Sequence, residues 1–141
     1  MSESRFLLDT NILSEPTKLQ PSPTVMSKLE QHYQSVATGS VVLHELMFGC
    51  YRLPVSQRRR KLEAYITSLL ARSIPVLSYD FDAAQWHATE RSRLTQLGRT
   101  PPFIDGQIAA IAAVHNLILV TNNIADYQDF QDLRLENWFA A

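Results

Sequence analysis

Short, uninterrupted apolar runs alternate along this chain with longer stretches whose apolar residues recur at helical spacing. The short runs predict strands at Arg5 to Asp9, Val36 to Leu43, Ile74 to Ser78, Leu117 to Val120 and near Leu133 to Leu135. Between them lie the helical patterns. Pro16, Pro21 and Pro23 break the first connection, and a helix follows from Ser22 or Thr24 to Gln34. Another begins through His44 to Phe48. A third runs from Ser56 or Gln57 to about Arg72, with Leu62, Tyr65, Ile66, Leu69 and Leu70 on one stripe. Asp80 or Asp82 is the natural N-cap of a fourth, which reaches Leu97 and stops at Gly98. Pro101 and Pro102 then impose an extended approach.

The segment from Asp105 to His115 is apolar on nearly every side and rich in alanine. A helix of that kind is buried, and its small residues let it lie close against a sheet. Strands separated by helices imply βαβ units, a parallel sheet and right-handed crossovers. The fold class expected is α/β.

Composition narrows the picture further. A chain of 141 residues, 45% hydrophobic and 19% charged, suits one domain over residues 1–141 with a sizeable core. No repeat or low-complexity tract interrupts it. The formal net charge of −1 announces no nucleic-acid binder, although basic residues predominate from Cys50 to Arg99 and acidic ones thereafter. The single cysteine, Cys50, excludes an internal disulfide and a multi-cysteine zinc site. With no signal peptide and no apolar run long enough to span a bilayer, the expected location is cytoplasmic, with no membrane partner.

The candidate chemistry lies where strands end. In open parallel sheets, ligands gather beyond the carboxyl ends of the strands. Asp9 ends the first strand, Glu45 lies just past the second, Asp105 opens the alanine-rich helix, and Asp126 follows the strand ending at Thr121-Asn122-Asn123. Each has an ordinary alternative. Asp9 suits a turn, Asp105 a helix cap, Glu45 a helix dipole, and Asp126 a solvated loop. Together they favour a metal, because converging carboxylates repel unless a cation joins them. Oxygen ligands without a His or Cys cluster suit Mg2+, with Mn2+ able to substitute. Such an ion acidifies a bound water and stabilises a phosphoryl transition state, so phosphodiester hydrolysis is the reaction class expected.

The stretches FLLDTNILSE, SVVLHELMFG, IDGQIAAIAAVHNLILVTNNIADY and LRLENWF stand in this order along almost the whole chain. In that ordered set the sequence resembles the PIN-domain ribonucleases, specifically the VapC and FitB-like toxins of type II toxin–antitoxin modules. The resemblance implies a central five-stranded parallel sheet flanked by helices. It implies that Asp9, Glu45, Asp105 and Asp126 form the catalytic acidic pocket, with Asp9 and Asp105 the direct metal ligands. Thr10, Asn11, Thr121 and Asn123 would orient those carboxylates from behind. Many family members carry an acid where this chain has Asn123, and Asp126-Tyr127 matches the FitB-like form of the motif. Glu15 matches only as a scaffold residue.

The resemblance further implies an RNA substrate, tRNA or rRNA, a homodimer, and a cognate VapB/FitA-like antitoxin, in a dimer or a larger assembly. Arg99, just ahead of Pro101-Pro102 and Asp105, is the candidate contact to substrate phosphate. Leu46, Phe48, Tyr51 and Leu53 are candidates for a protein interface or for core. An inactive PIN domain that only binds RNA or protein is the alternative reading. A phosphorylated-aspartate protein fits poorly. Asn11 stands where one such class needs a second aspartate, and Lys18, Lys28 and Lys61 all come too early for the other.

Overall fold

The structure is a computed structural model and describes residues 3–140. Five strands, β1 (Phe6–Leu8), β2 (Val36–Gly39), β3 (Val76–Leu77), β4 (Ile118–Val120) and β5 (Leu135–Glu136), form one sheet in the order β3-β2-β1-β4-β5. All four pairings are parallel, with Leu7 beside Ala37 on one side and Leu119 on the other. β1 is central and fully buried, which is why its sequence is continuously apolar rather than alternating.

Among the described residues, seven α-helices connect or flank the strands: α1 (Thr10–Leu13), α2 (Pro23–Gln31), α3 (Ser40–Tyr51), α4 (Gln57–Ala71), α5 (Phe81–Gln96), α6 (Phe103–Val114) and α7 (Ile124–Tyr127). Ser22, Ser56 and Asp80 cap α2, α4 and α5 by accepting backbone N–H bonds. Gly98 closes α5 with φ of +73°, a backbone state that glycine adopts without strain. On α6, Ile108 and Ala109 to Ala112 are all buried, as the alanine-rich pattern predicts.

Several boundaries differ from the sequence reading. β2 ends at Gly39, and Val41 to Leu43 belong to α3, because an apolar run reads the same for a buried strand and a buried helix. Glu45 consequently sits in the second turn of its helix. α6 begins at Phe103, so Asp105 is its third residue and does not cap it. The turn after Asp9 and the loop around Asp126 are each one-turn helices, too short to show a period. β1 and β3 are shorter than expected, and β5 lies at Leu135–Glu136. Leu46 is core, whereas Phe48 and Tyr51 are exposed on α3. Buried Glu15 accepts the Ser22 N–H and pairs with Lys18 at 2.8 Å, a scaffold contact.

Candidate active site

The strand order reverses at β1, with β2 and β3 laid down on one side and β4 and β5 on the other, and the crevice above that point is where a doubly wound sheet receives ligands. Asp9 stands at the end of β1 and Thr121 at the end of β4. The Asp9 backbone N–H still bonds Val120 in the ladder, while its side chain already caps α1 through the Thr10 N–H at 2.8 Å. The turn-former and the site residue are therefore one carboxylate.

Asp9 is only 4% exposed, so its charge depends on donors. Its Oδ2 accepts from the Thr121 hydroxyl at 2.9 Å, the Tyr127 hydroxyl at 3.3 Å and the Asn11 amide at 3.4 Å. Burial still raises its pKa, with these donors opposing the rise. The Asn123 backbone N–H donates to the Thr121 oxygen at 3.0 Å, so the expected support from Asn123 runs through its main chain. Asn11 is held in turn, its amide oxygen accepting the Asn122 N–H at 3.1 Å. Thr10 joins two acids: its N–H serves Asp9 and its hydroxyl donates to Glu45 Oε1 at 2.9 Å.

Asp105 faces this group from α6. Its pKa is pushed up to about 6, first by burial and then by the charges of Asp126, Asp9 and Glu45. Carboxylates from three other parts of the chain thus act on Asp105. Asp126 itself is exposed on α7, and its charge is the strongest of the three on Asp105. Tyr127, absent from the sequence-predicted site, stands between the two inner acids, with Asp105 Oδ1 3.5 Å from its hydroxyl. Burial and the surrounding carboxylates raise its pKa, so it remains a donor. Its aromatic character next to Asp126 was visible in the sequence; its hydroxyl's position was not.

Arg99 lies farther out. Its Nη1 is 3.9 Å from Asp129 Oδ1, and both side chains are well exposed. A cleft of about 260 Å³ has Arg99, Asp126 and Asp129 on its walls. A groove of about 880 Å³ between α2 and α4 contains none of the four acids.

Among the described residues, no group of three or more His, Cys, Asp or Glu side chains would cage a metal ion outright. The donor set nevertheless fits a hydrated hard cation. Mg2+ commonly uses one or two carboxylates, keeps several waters and completes its shell with substrate phosphate. Asp9 and Asp105, joined through Tyr127 and burdened by mutual repulsion, offer that arrangement. No helix among the described residues is long and apolar enough to cross a membrane.

Residues 6–131 match the model of the PIN domain. The chain is 33% identical to a tRNA(fMet)-specific endonuclease VapC of Shigella flexneri, over 95% of this chain and 98% of that one. The crystal structure of FitAcB from Neisseria gonorrhoeae superposes with a TM-score of 0.87 at 26% identity, covering 96% of this chain and 99% of the other. A DNA-bound VapBC from Salmonella typhimurium gives a TM-score of 0.83 at 27% identity, covering 96% and 98%. The matches in sequence and in shape cover most of the chain, and the protein belongs to the PIN-domain family.

Proposed function

We propose that the chain is a Mg2+-dependent endoribonuclease, the toxin of a type II toxin–antitoxin pair, acting on tRNA or rRNA. The observation that carries this reading is the convergence of Asp9 and Asp105 on the one Tyr127 hydroxyl, with Thr10 joining Glu45 to Asp9 and the Asp126 charge acting on Asp105. Like charges gathered in that way are balanced by a cation, and the nearby oxygens select a hard one.

Asp9 and Asp105 hold the ion, and Glu45 and Asp126 keep the surrounding potential negative. When bound, the metal supplies charge to the scissile phosphate and acidifies a coordinated water. The chain supplies orientation. Thr121, Tyr127, Asn11 and the Thr10 N–H fix the Asp9 carboxylate, and donors of this sort tune the ligand they touch. Thr10 keeps Glu45 in step with Asp9. Mn2+ substitutes because it shares the preference for carboxylate and water. Arg99 meets a flanking phosphate by swinging away from its long contact with Asp129.

The names of the relatives support the activity and the partner: an endonuclease VapC, and complexes named VapBC and FitAcB. The partner is a VapB/FitA-like antitoxin. A basic antitoxin side chain brought near Asp105 would compete with the metal for the same field. Phe48 and Tyr51, exposed on α3, suit a second copy in a homodimer or the antitoxin. The place of action is the cytoplasm, where the RNA is.

The test is cleavage of structured RNA with Mg2+ or Mn2+ by the wild type and by Asp9→Asn. Loss of cleavage in the variant is expected. Equal activity in both would refute the assignment, and RNA binding without cleavage by the wild type would favour the inactive, binding-only form. Growth arrest on expression, relieved by the neighbouring reading frame, tests the toxin role.

A further inference from the structure

His87 lies on α5, is 1% exposed, and belongs to none of the contacts described so far. Its Nδ1 is 2.8 Å from the hydroxyl of Tyr79, in the segment between β3 and α5. Its Nε2 is buried without a hydrogen-bond partner. That orphaned edge is turned toward Gly106: a Cβ built there would stand 2.2 Å from Nε2 and 2.6 Å from Cδ2. Phe103 covers the ring with centroids 4.9 Å apart. The ring cannot swing aside, because Tyr79 tethers one end and Phe103 and α6 confine the rest.

A buried unsatisfied nitrogen is destabilising, so a wholly apolar ring would be the more stable filler. What histidine adds is the tether, since a phenyl ring has no atom for Tyr79 to hold. Burial, with Arg91 adding, keeps the pKa of His87 low, so the ring is neutral. In the tautomer whose Nδ1–H donates to Tyr79, the Nε2 lone pair is the edge turned to Gly106, where a Cα–H is a weak but favourable neighbour. Gly106 follows Asp105 directly. The approach of α6 to this ring therefore sets how far the Asp105 carboxylate reaches toward Tyr127, a contact already 3.5 Å long.

We propose that His87, held by Tyr79, is a positioning residue: its ring edge against Gly106 seats the first turn of α6 and so places Asp105 opposite Asp9. This rests on reading Asp105 as a metal-binding acid. Displacing such a ligand by a fraction of an ångström is costly, because ions and reacting groups demand close geometry.

The experiment compares wild type, G106A, H87A and the double variant H87A/G106A, with Y79F as a milder probe. Mn2+ affinity is measured by calorimetry without RNA, beside kcat and KM for RNA cleavage and the melting temperature. G106A is expected to weaken Mn2+ binding about tenfold and to lower kcat by at least as much, with RNA KM unchanged. In the H87A background the same glycine change should be nearly harmless, because the clash is gone. Losses that simply multiply, or a G106A protein that binds Mn2+ like wild type, would overturn the proposal. If G106A fails to fold, Y79F decides: weaker Mn2+ binding at a wild-type melting temperature is expected, and unchanged binding refutes the tether. A wild type that binds Mn2+ yet cleaves no RNA would sink the ribonuclease reading alone, whereas one that binds no Mn2+ overturns this inference.

Discussion

The Thr121 hydroxyl donates to Asp9 Oδ2 at 2.9 Å across 112 positions of sequence, while the Thr121 oxygen accepts the Asn123 N–H from behind. Replacing Thr121 by valine keeps the shape and removes both bonds. Mn2+ affinity is expected to fall about tenfold, while Thr121→Ser retains it. Calorimetry on the two variants checks this, and equal affinities would show the hydroxyl to be idle.

Tyr127 lowers the pKa of both inner acids through its hydroxyl, against the burial that raises them. Tyr127→Phe should therefore move both upward. The acid limb of the pH–rate profile is expected to shift to higher pH, with activity near pH 8 reduced less than activity near pH 6. An unmoved limb would remove Tyr127 from the site.

Asp105 titrates at about 6 in the folded chain against an ordinary value of 3.8. Between about 4 and about 6 the folded protein keeps a proton that the unfolded chain has released, so this group's contribution declines as pH rises through that window. The loss is complete above the folded value. Asp9, also raised, acts in the same direction. Glu15, Glu90, His32 and His87, all with lowered pKa values, act in the opposite direction, so the signature is a difference: in chelator, wild-type stability relative to Asp105→Asn should fall from pH 4 to pH 6, and the variant should melt higher at pH 7. Added Mn2+ should restore stability at neutral pH.

Asp126 and Asn123 compete for the fourth place in the pocket. The Asp126 charge acts on Asp105 more strongly than either other acid, whereas Asn123 supports Thr121 by its backbone N–H. Asp126→Asn is expected to lower the Asp105 pKa and to weaken cleavage about tenfold or more, with Asn123→Ala near wild type. NMR titration and cleavage rates together test the ranking, and a reversed order would reassign the position.

Much of this protein was legible because its local signals agree. The FLL run reads as a central strand since a strand buried on both faces has no polar alternation, and the helix starts read at Ser22 or Thr24, Ser56 or Gln57 and Asp80 or Asp82 resolve to Ser22, Ser56 and Asp80, whose side chains cap the free N–H groups. Val41 to Leu43 misled for the opposite reason, an apolar run being silent about its period. The one-turn helices at Thr10 and Ile124 were hidden because four residues carry no periodic pattern.

The sequence by itself determined the alternation of strands and helices, the acids at element ends and the family to which their order belongs. Those properties are local, or are carried by the order of residues. Tertiary structure alone decided which groups meet. The parallel register of β1 and β4 brings Thr121 to Asp9, the one-turn α7 swings Tyr127 between Asp9 and Asp105, and the close packing of α5 on α6 sets His87 against Gly106. Distances across an assembled sheet arise from long-range pairing and dense packing, and no stretch of chain contains them.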